Sequence, residues 1–180
     1  MTKRYEERRR CRMGDFEYML DDDDLTAWIE DGHSNGARIY TLPETVEIEN
    51  RIFRITSVEA GGYGTENDRN IEELIIPDSY EYLDEYSFGA APINKLHIGK
   101  GLQYYHPWCL KSAAPNISID IHPQNNSLKM SEDGHFVLSK DGKGLVALIH
   151  DLEVVTIPDG VERIRSCAIT CKNNLREQYT

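Results

Sequence analysis

Two stretches of the chain carry apolar residues at the same spacing around a proline. Around Pro77 these are Leu74 and Ile76 before it and Tyr80, Leu83 and Phe88 after it; around Pro158 they are Val155, Ile157, Val161, Ile164 and Ile169. A third copy, 22 residues after the Pro77 copy, runs Leu96, Ile98, Leu102, Tyr105 and Leu110, with Gly99 in the proline slot. A fourth runs Tyr40, Leu42, Pro43 and Val46; it is interrupted from Glu49 to Ile55 by what reads as a two-strand excursion, and it resumes at Val58. A fixed period of this kind constrains the fold more than any other property of a chain.

Each unit reads as a short strand whose alternate side chains point inward, closed by Pro or Gly, followed by a return segment that brings further apolar residues back beneath it. About 22 residues cannot bury their own apolar face, so such units are stable only when stacked. Stacking aligns equivalent positions. The inward rows are Tyr40, Leu74, Leu96 and Val155 beside Leu42, Ile76, Ile98 and Ile157, and the outward row is Thr41, Ile75, His97 and Thr156.

The Ile-Pro-Asp-Ser and Ile-Pro-Asp-Gly turns, with their apolar followers, resemble the BspA-like leucine-rich repeats of bacterial surface proteins. Phe16, Tyr18 and Leu20, the acidic turn Asp21 to Asp24, and Leu25, Ala27 and Ile29 resemble the hairpin that opens such arrays. Asn125 to Ile149, turning at Asp141-Gly142, resembles the hairpin inserted between repeats, and Asp-Gly is itself a tight-turn signal. The resemblance covers about residues 14–175. It implies a leucine-rich-repeat-like solenoid of the α/β class, strand-rich with short irregular or helical return segments, opened and interrupted by β-hairpins. The expected organisation is a flexible basic arm over 1–13 and one solenoid over 14–180. Within the solenoid, hairpins are expected at 14–30 and about 125–149, with a partial repeat or cap at the C-terminal end. It also implies a binding role, at the cell surface in most members.

Charge narrows the partners. Residues 1–12 hold six basic side chains against two acidic ones, a net of +4, which leaves −15 on the remainder of a chain whose total is −11. A body of that sign repels nucleic acid and anionic membrane, so no nucleic acid is expected on it. No stretch is long and apolar enough to span a bilayer, and no export signal is visible at Met1 to Arg12, which reads as cytoplasmic as written.

The residues of chemistry do not assemble into a catalytic set. Gly61, Gly62 and Gly64 read as a turn without the lysine of a phosphate loop, and no serine sits in an elbow motif. His33, His97, His106, His122, His135 and His150 show no helical metal spacing. The run Asp21 to Asp24 lacks the alternation and glycine of a calcium loop and reads as a charged turn. Cys11, Cys109, Cys167 and Cys171 form no Cys-x-x-Cys pair and read as buried free thiols. No catalytic residue, metal or cofactor is expected. Tyr80, Tyr82, Tyr86, Tyr104, Tyr105 and Trp108 are dense across the second and third copies; by offset Tyr80 faces the core, and Tyr82 and Tyr104 lie nearer the surface. The expected contact residues are Ile75, His97, Thr156, Tyr82, Tyr104 and Trp108, and the expected function is a non-enzymatic module that docks a protein or glycan along the solenoid sheet. The alternative is an intracellular acidic regulator or inhibitor, of viral or mobile-element origin, that binds a basic protein. An uncapped solenoid end favours end-to-end self-association.

Overall fold

The structure, a computed structural model, describes residues 8–32, 34, 36–59, 71–85, 87, 88, 93–109, 117–150 and 152–169. The expectations on Tyr86, Leu110, Cys171, His33, the Gly61–Gly64 turn and the terminal cap lie outside these residues. The described residues form fifteen strands and no helix. In chain order the first eight are β1 (Arg9–Met13), β2 (Phe16–Asp21), β3 (Thr26–Gly32), β4 (Ile39–Thr41), β5 (Thr45–Ile48), β6 (Arg51–Val58), β7 (Glu73–Ile76) and β8 (Tyr82–Leu83). The rest are β9 (Lys95–Ile98), β10 (Tyr104–Tyr105), β11 (Ser118–Ile121), β12 (Leu128–Met130), β13 (Phe136–Ser139), β14 (Gly144–Leu148) and β15 (Arg163–Ile164).

From β6 to β11 the chain passes alternately between two sheets. One sheet has the order β11-β9-β7-β4, all parallel, and the other β1-β2-β3-β6-β8-β10, with β5 paired to β6. The register repeats the sequence spacing: Leu74 stands beside Leu96, and Tyr82 beside Tyr104, in each case 22 residues on. Leu74, Ile76, Tyr80, Leu83 and Phe88 are all buried, as are Leu96, Ile98, Leu102 and Tyr105, in one cluster between the sheets. Tyr80 keeps its hydroxyl satisfied by donating to the Pro43 carbonyl at 2.9 Å. Cutting Phe88 to alanine in such a core costs roughly 3–5 kcal/mol.

Neighbouring turns interlock. The Asp78 carboxylate accepts from the Lys100 backbone amide at 2.7 Å and meets the Lys100 ammonium at 2.8 Å, so the motif aspartate ties one turn of chain to the next. Gly99 takes the proline slot because the turns approach closely there. A Cβ at Gly99 would lie 2.7 Å from the Pro77 carbonyl carbon and oxygen, and one at Gly101 would fall on the Asp78 carbonyl oxygen.

Several expectations need correction. The return segments expected to be irregular or helical include the two-residue strands β8 and β10, because their extended backbones pair with the equivalent segments of adjacent turns. The fourth member of the β4 sheet is β11, not Val155 to Ile157, so Asp120 rather than Thr156 completes the row Thr41, Ile75, His97. The three-stranded antiparallel set β12-β13-β14 intervenes before the last copy, whose strand β15 pairs parallel with β14. Val155 and Ile157 are therefore half-buried on a second, smaller cluster, and Ile164 and Ile169 are exposed. Part of the arm expected to be flexible is β1, which pairs antiparallel with β2 from Arg9 to Met13. Its arginines meet carboxylates: Arg9 with Glu49 at 2.8 Å and Asp22 at 3.6 Å, Arg10 with Glu30 at 2.7 Å and Glu17 at 3.3 Å. In the turn that follows β2, the Asp21 carboxylate accepts from the amides of Asp23 and Asp24.

Candidate interaction surface

The parallel pairing of β3, β6, β8 and β10 sets two rows across the sheet. Ile29, Val58, Leu83 and Tyr105 are in register and buried, pointing into the core. One residue earlier on each strand, Trp28, Ser57, Tyr82 and Tyr104 are in register on the outer face, because successive strand residues alternate faces. Sheet pairing thus collects aromatics from 77 residues of sequence into one line. Tyr82 is 48% exposed, and its ring lies 6.2 Å from that of Tyr104. The line continues along the chain through His106, 6.4 Å from Tyr104, to Trp108, which meets His106 edge-on at 6.2 Å. Guanidinium groups stack on it at two places, Arg8 at 4.4 Å from the Trp28 ring centroid and Arg165 at 4.8 Å from that of Tyr104.

Ser57 is the small member of the row, and at its position the surface dips into a cleft of about 550 Å³. Trp28, Tyr82 and Tyr104 line it together with Arg8 and the carboxylates of Asp21, Asp24, Glu59 and Asp84. Burial holds the Glu59 carboxyl above its ordinary value, and the neighbouring charges of Glu30 and Asp84 push the same way, against Arg8.

The structure divides the expected contact residues among three places. Tyr82, Tyr104 and Trp108 stand together on this face. Ile75 and His97 lie on the opposite sheet, where His97 spans neighbouring strands: Nε2 is 2.7 Å from Glu73 Oε1, and Nδ1 is 3.3 Å from Asp120 Oδ2. His97 is thus tied into a cross-strand polar row, not freely solvated. Thr156 belongs to neither sheet; it is exposed beside a separate cleft lined by Lys129, Leu138 and Pro158. Sequence reasoning missed Trp28, Glu59 and Asp84. Trp28 had a signal, since it sits between the inward Ala27 and Ile29.

A pair of histidines was also missed. His135 and His150 flank the β13–β14 hairpin and meet Nδ1 to Nδ1 at 2.9 Å, while His150 Nε2 lies 2.8 Å from the Ile117 carbonyl oxygen. Among the described residues no three His, Cys, Asp or Glu side chains converge to hold a metal ion, and no helix is long and apolar enough to cross a membrane.

No sequence-family profile matches the chain, and no curated protein matches it. Two solved structures are similar to it. The pneumococcal vaccine antigen PcpA is 13% identical with a TM-score of 0.35, over 87% of this chain and 60% of that one. A leucine-rich cell surface protein from Faecalibacterium prausnitzii is 11% identical with a TM-score of 0.33, over 85% of this chain and 65% of that one. The chain therefore spans less than two thirds of the length of either.

Proposed function

We propose that this chain is a non-enzymatic protein-interaction module, a leucine-rich-repeat-like solenoid whose partner docks on the outer face of the β3-β6-β8-β10 sheet. The observation that carries this reading is the in-register row Trp28, Ser57, Tyr82 and Tyr104, extended by His106 and Trp108. Aromatic side chains bury large area at low conformational cost and are enriched among the residues that dominate binding energy. The face opposite, around Ile75 and His97, offers instead polar groups already satisfied by one another. Its role is secondary in this reading, and Thr156 has none. The reading as an acidic regulator of a basic protein draws support from the same face, where four carboxylates line the cleft against one guanidinium.

A photo-reactive amino acid placed at position 104, and separately at position 75, tests this in cells of the native host. A protein adduct formed from position 104 and abolished by Tyr82→Ala is the expected result. Adducts from position 75 alone, or from neither position, would sink the assignment of the face.

A further inference from the structure

Resting on that reading of the face, we infer that the cleft between Trp28 and Tyr82 receives a lysine or arginine side chain from an extended segment of the protein partner. Three independent features of the cleft converge on such a ligand. The first is charge: among the described residues Asp21, Asp24, Glu59 and Asp84 form no salt bridge, and Arg8 is the one cation on the cleft wall. Carboxylates without a cationic partner around a concave, aromatic-lined cleft favour a cation that replaces its lost water with direct bonds.

The second is the aromatic row itself. Its ends already hold guanidinium groups, Arg8 over Trp28 and Arg165 over Tyr104, at the separations at which the ring quadrupole attracts a cation. Tyr82, between them and half-exposed, carries no cation over its face among the described residues. The third is an unmet donor. Trp28 is more than nine-tenths buried, yet its Nε1–H finds no acceptor among the described residues. A buried donor left unpaired is costly, and a peptide carbonyl that displaces the atoms now covering Nε1 as it enters beside the cation would remove that cost. A simple inorganic or amine cation answers only the first two features; a peptide answers all three.

The test uses the full chain and two synthetic pentapeptides, Gly-Arg-Arg-Arg-Gly and the same peptide with citrulline in place of arginine, which keeps shape and removes charge. The readout is the Trp28 indole N–H resonance, distinguished from that of Trp108 by Trp108→Phe. The expected result is a saturable shift with the arginine peptide, about tenfold weaker binding of the citrulline peptide, and a loss of about tenfold for Glu59→Gln combined with Asp84→Asn. Equal binding of both peptides, unchanged affinity in the double variant, or no saturable shift would overturn the inference; the two-peptide comparison on the wild type requires no variant to fold. An adduct from position 104 in cells without a charge-dependent peptide effect retires the cation cleft and leaves the interaction face, whereas failure of both experiments retires both.

Discussion

Asn125 is fully buried and uses every hydrogen-bonding position it has. Its Nδ2 donates to the carbonyls of Gly99 and Leu102, both at 3.0 Å, and its Oδ1 accepts from the amides of Ser127 and Leu128 at 2.9 and 2.8 Å. The side chain thereby fixes the start of the β12 hairpin to the turn of chain beneath it. Asn125→Ala leaves buried backbone groups unpaired, and urea unfolding is expected to show a loss of about 3 kcal/mol. Charged residues set the pH dependence. Hydrogen bonding to Lys100 holds the Asp78 carboxyl below its ordinary value, and the Ser131 and Ser139 hydroxyls do the same for Asp133 and Asp141. The unfolded chain takes up these protons first on acidification, so the stability they contribute is complete above the ordinary aspartate pKa of about 3.9 and is lost as pH falls through the folded values. Glu59 has the opposite sign: the folded chain keeps its proton after the unfolded chain has released it, so stability declines as pH rises from the ordinary glutamate value to the folded one. Denaturation across a pH series is expected to show Asp78→Asn flattening the acid limb, and Glu59→Gln raising stability at neutral pH.

Among the elements, β1 is held differently from its neighbours. Its side chains are largely exposed or half-buried, and its arginines rely on surface ion pairs with Glu17, Asp22, Glu30 and Glu49, each of the kind worth about 0–1 kcal/mol and screened by salt. Amide exchange of β1 is therefore expected to accelerate on going from low to high salt while β2 and β3, anchored by Tyr18, Leu20, Ala27 and Ile29, keep their protection. Elements with a strong pattern were legible in the sequence: β7 and β9 from the apolar alternation before Pro77 and Gly99, the β2–β3 hairpin from its acidic turn, and the β13–β14 hairpin from Asp141-Gly142. The strand β11 was not, because Pro123 stands one position beyond the slot that His122 occupies, and this shift hides the spacing of Ile119 and Ile121. Strands of two residues, β8 and β10, have no period to read; their faces are set by the pairing of β8 with β6 and of β10 with β8. For that reason Tyr82 and Tyr104 were legible as surface aromatics, but their alignment with Trp28 over Ser57 was not. The split of Ile75 and His97 from the tyrosines follows from the second sheet, which the repeat offsets alone do not announce.

In the whole molecule burial is divided unequally. Among the described residues one cluster runs from Phe16 to Ile149 through the parallel sheet, the mixed sheet and one face of β12-β13-β14, and a second gathers Phe136, Leu138, Leu145, Leu148 and Ala168, with Leu152, Val155, Ile157 and Val161 half-buried against it. Local opening follows buried apolar contact, so residues 152–169 are expected to exchange their amides at lower free energy than β7 and β9, and Phe136→Ala is expected to widen that gap. Hydrogen exchange followed by mass spectrometry resolves the two regions. The close approach at Gly99 and Gly101 bears on how an array of this kind can change. Proline serves at positions 43 and 77 on adjoining turns, yet at position 99 any side chain meets the Pro77 carbonyl. The copies are thus not interchangeable parts: recombination that moved the Pro77 copy into the third place would bring a ring where there is no room, so heredity must conserve the order of the copies as well as their content.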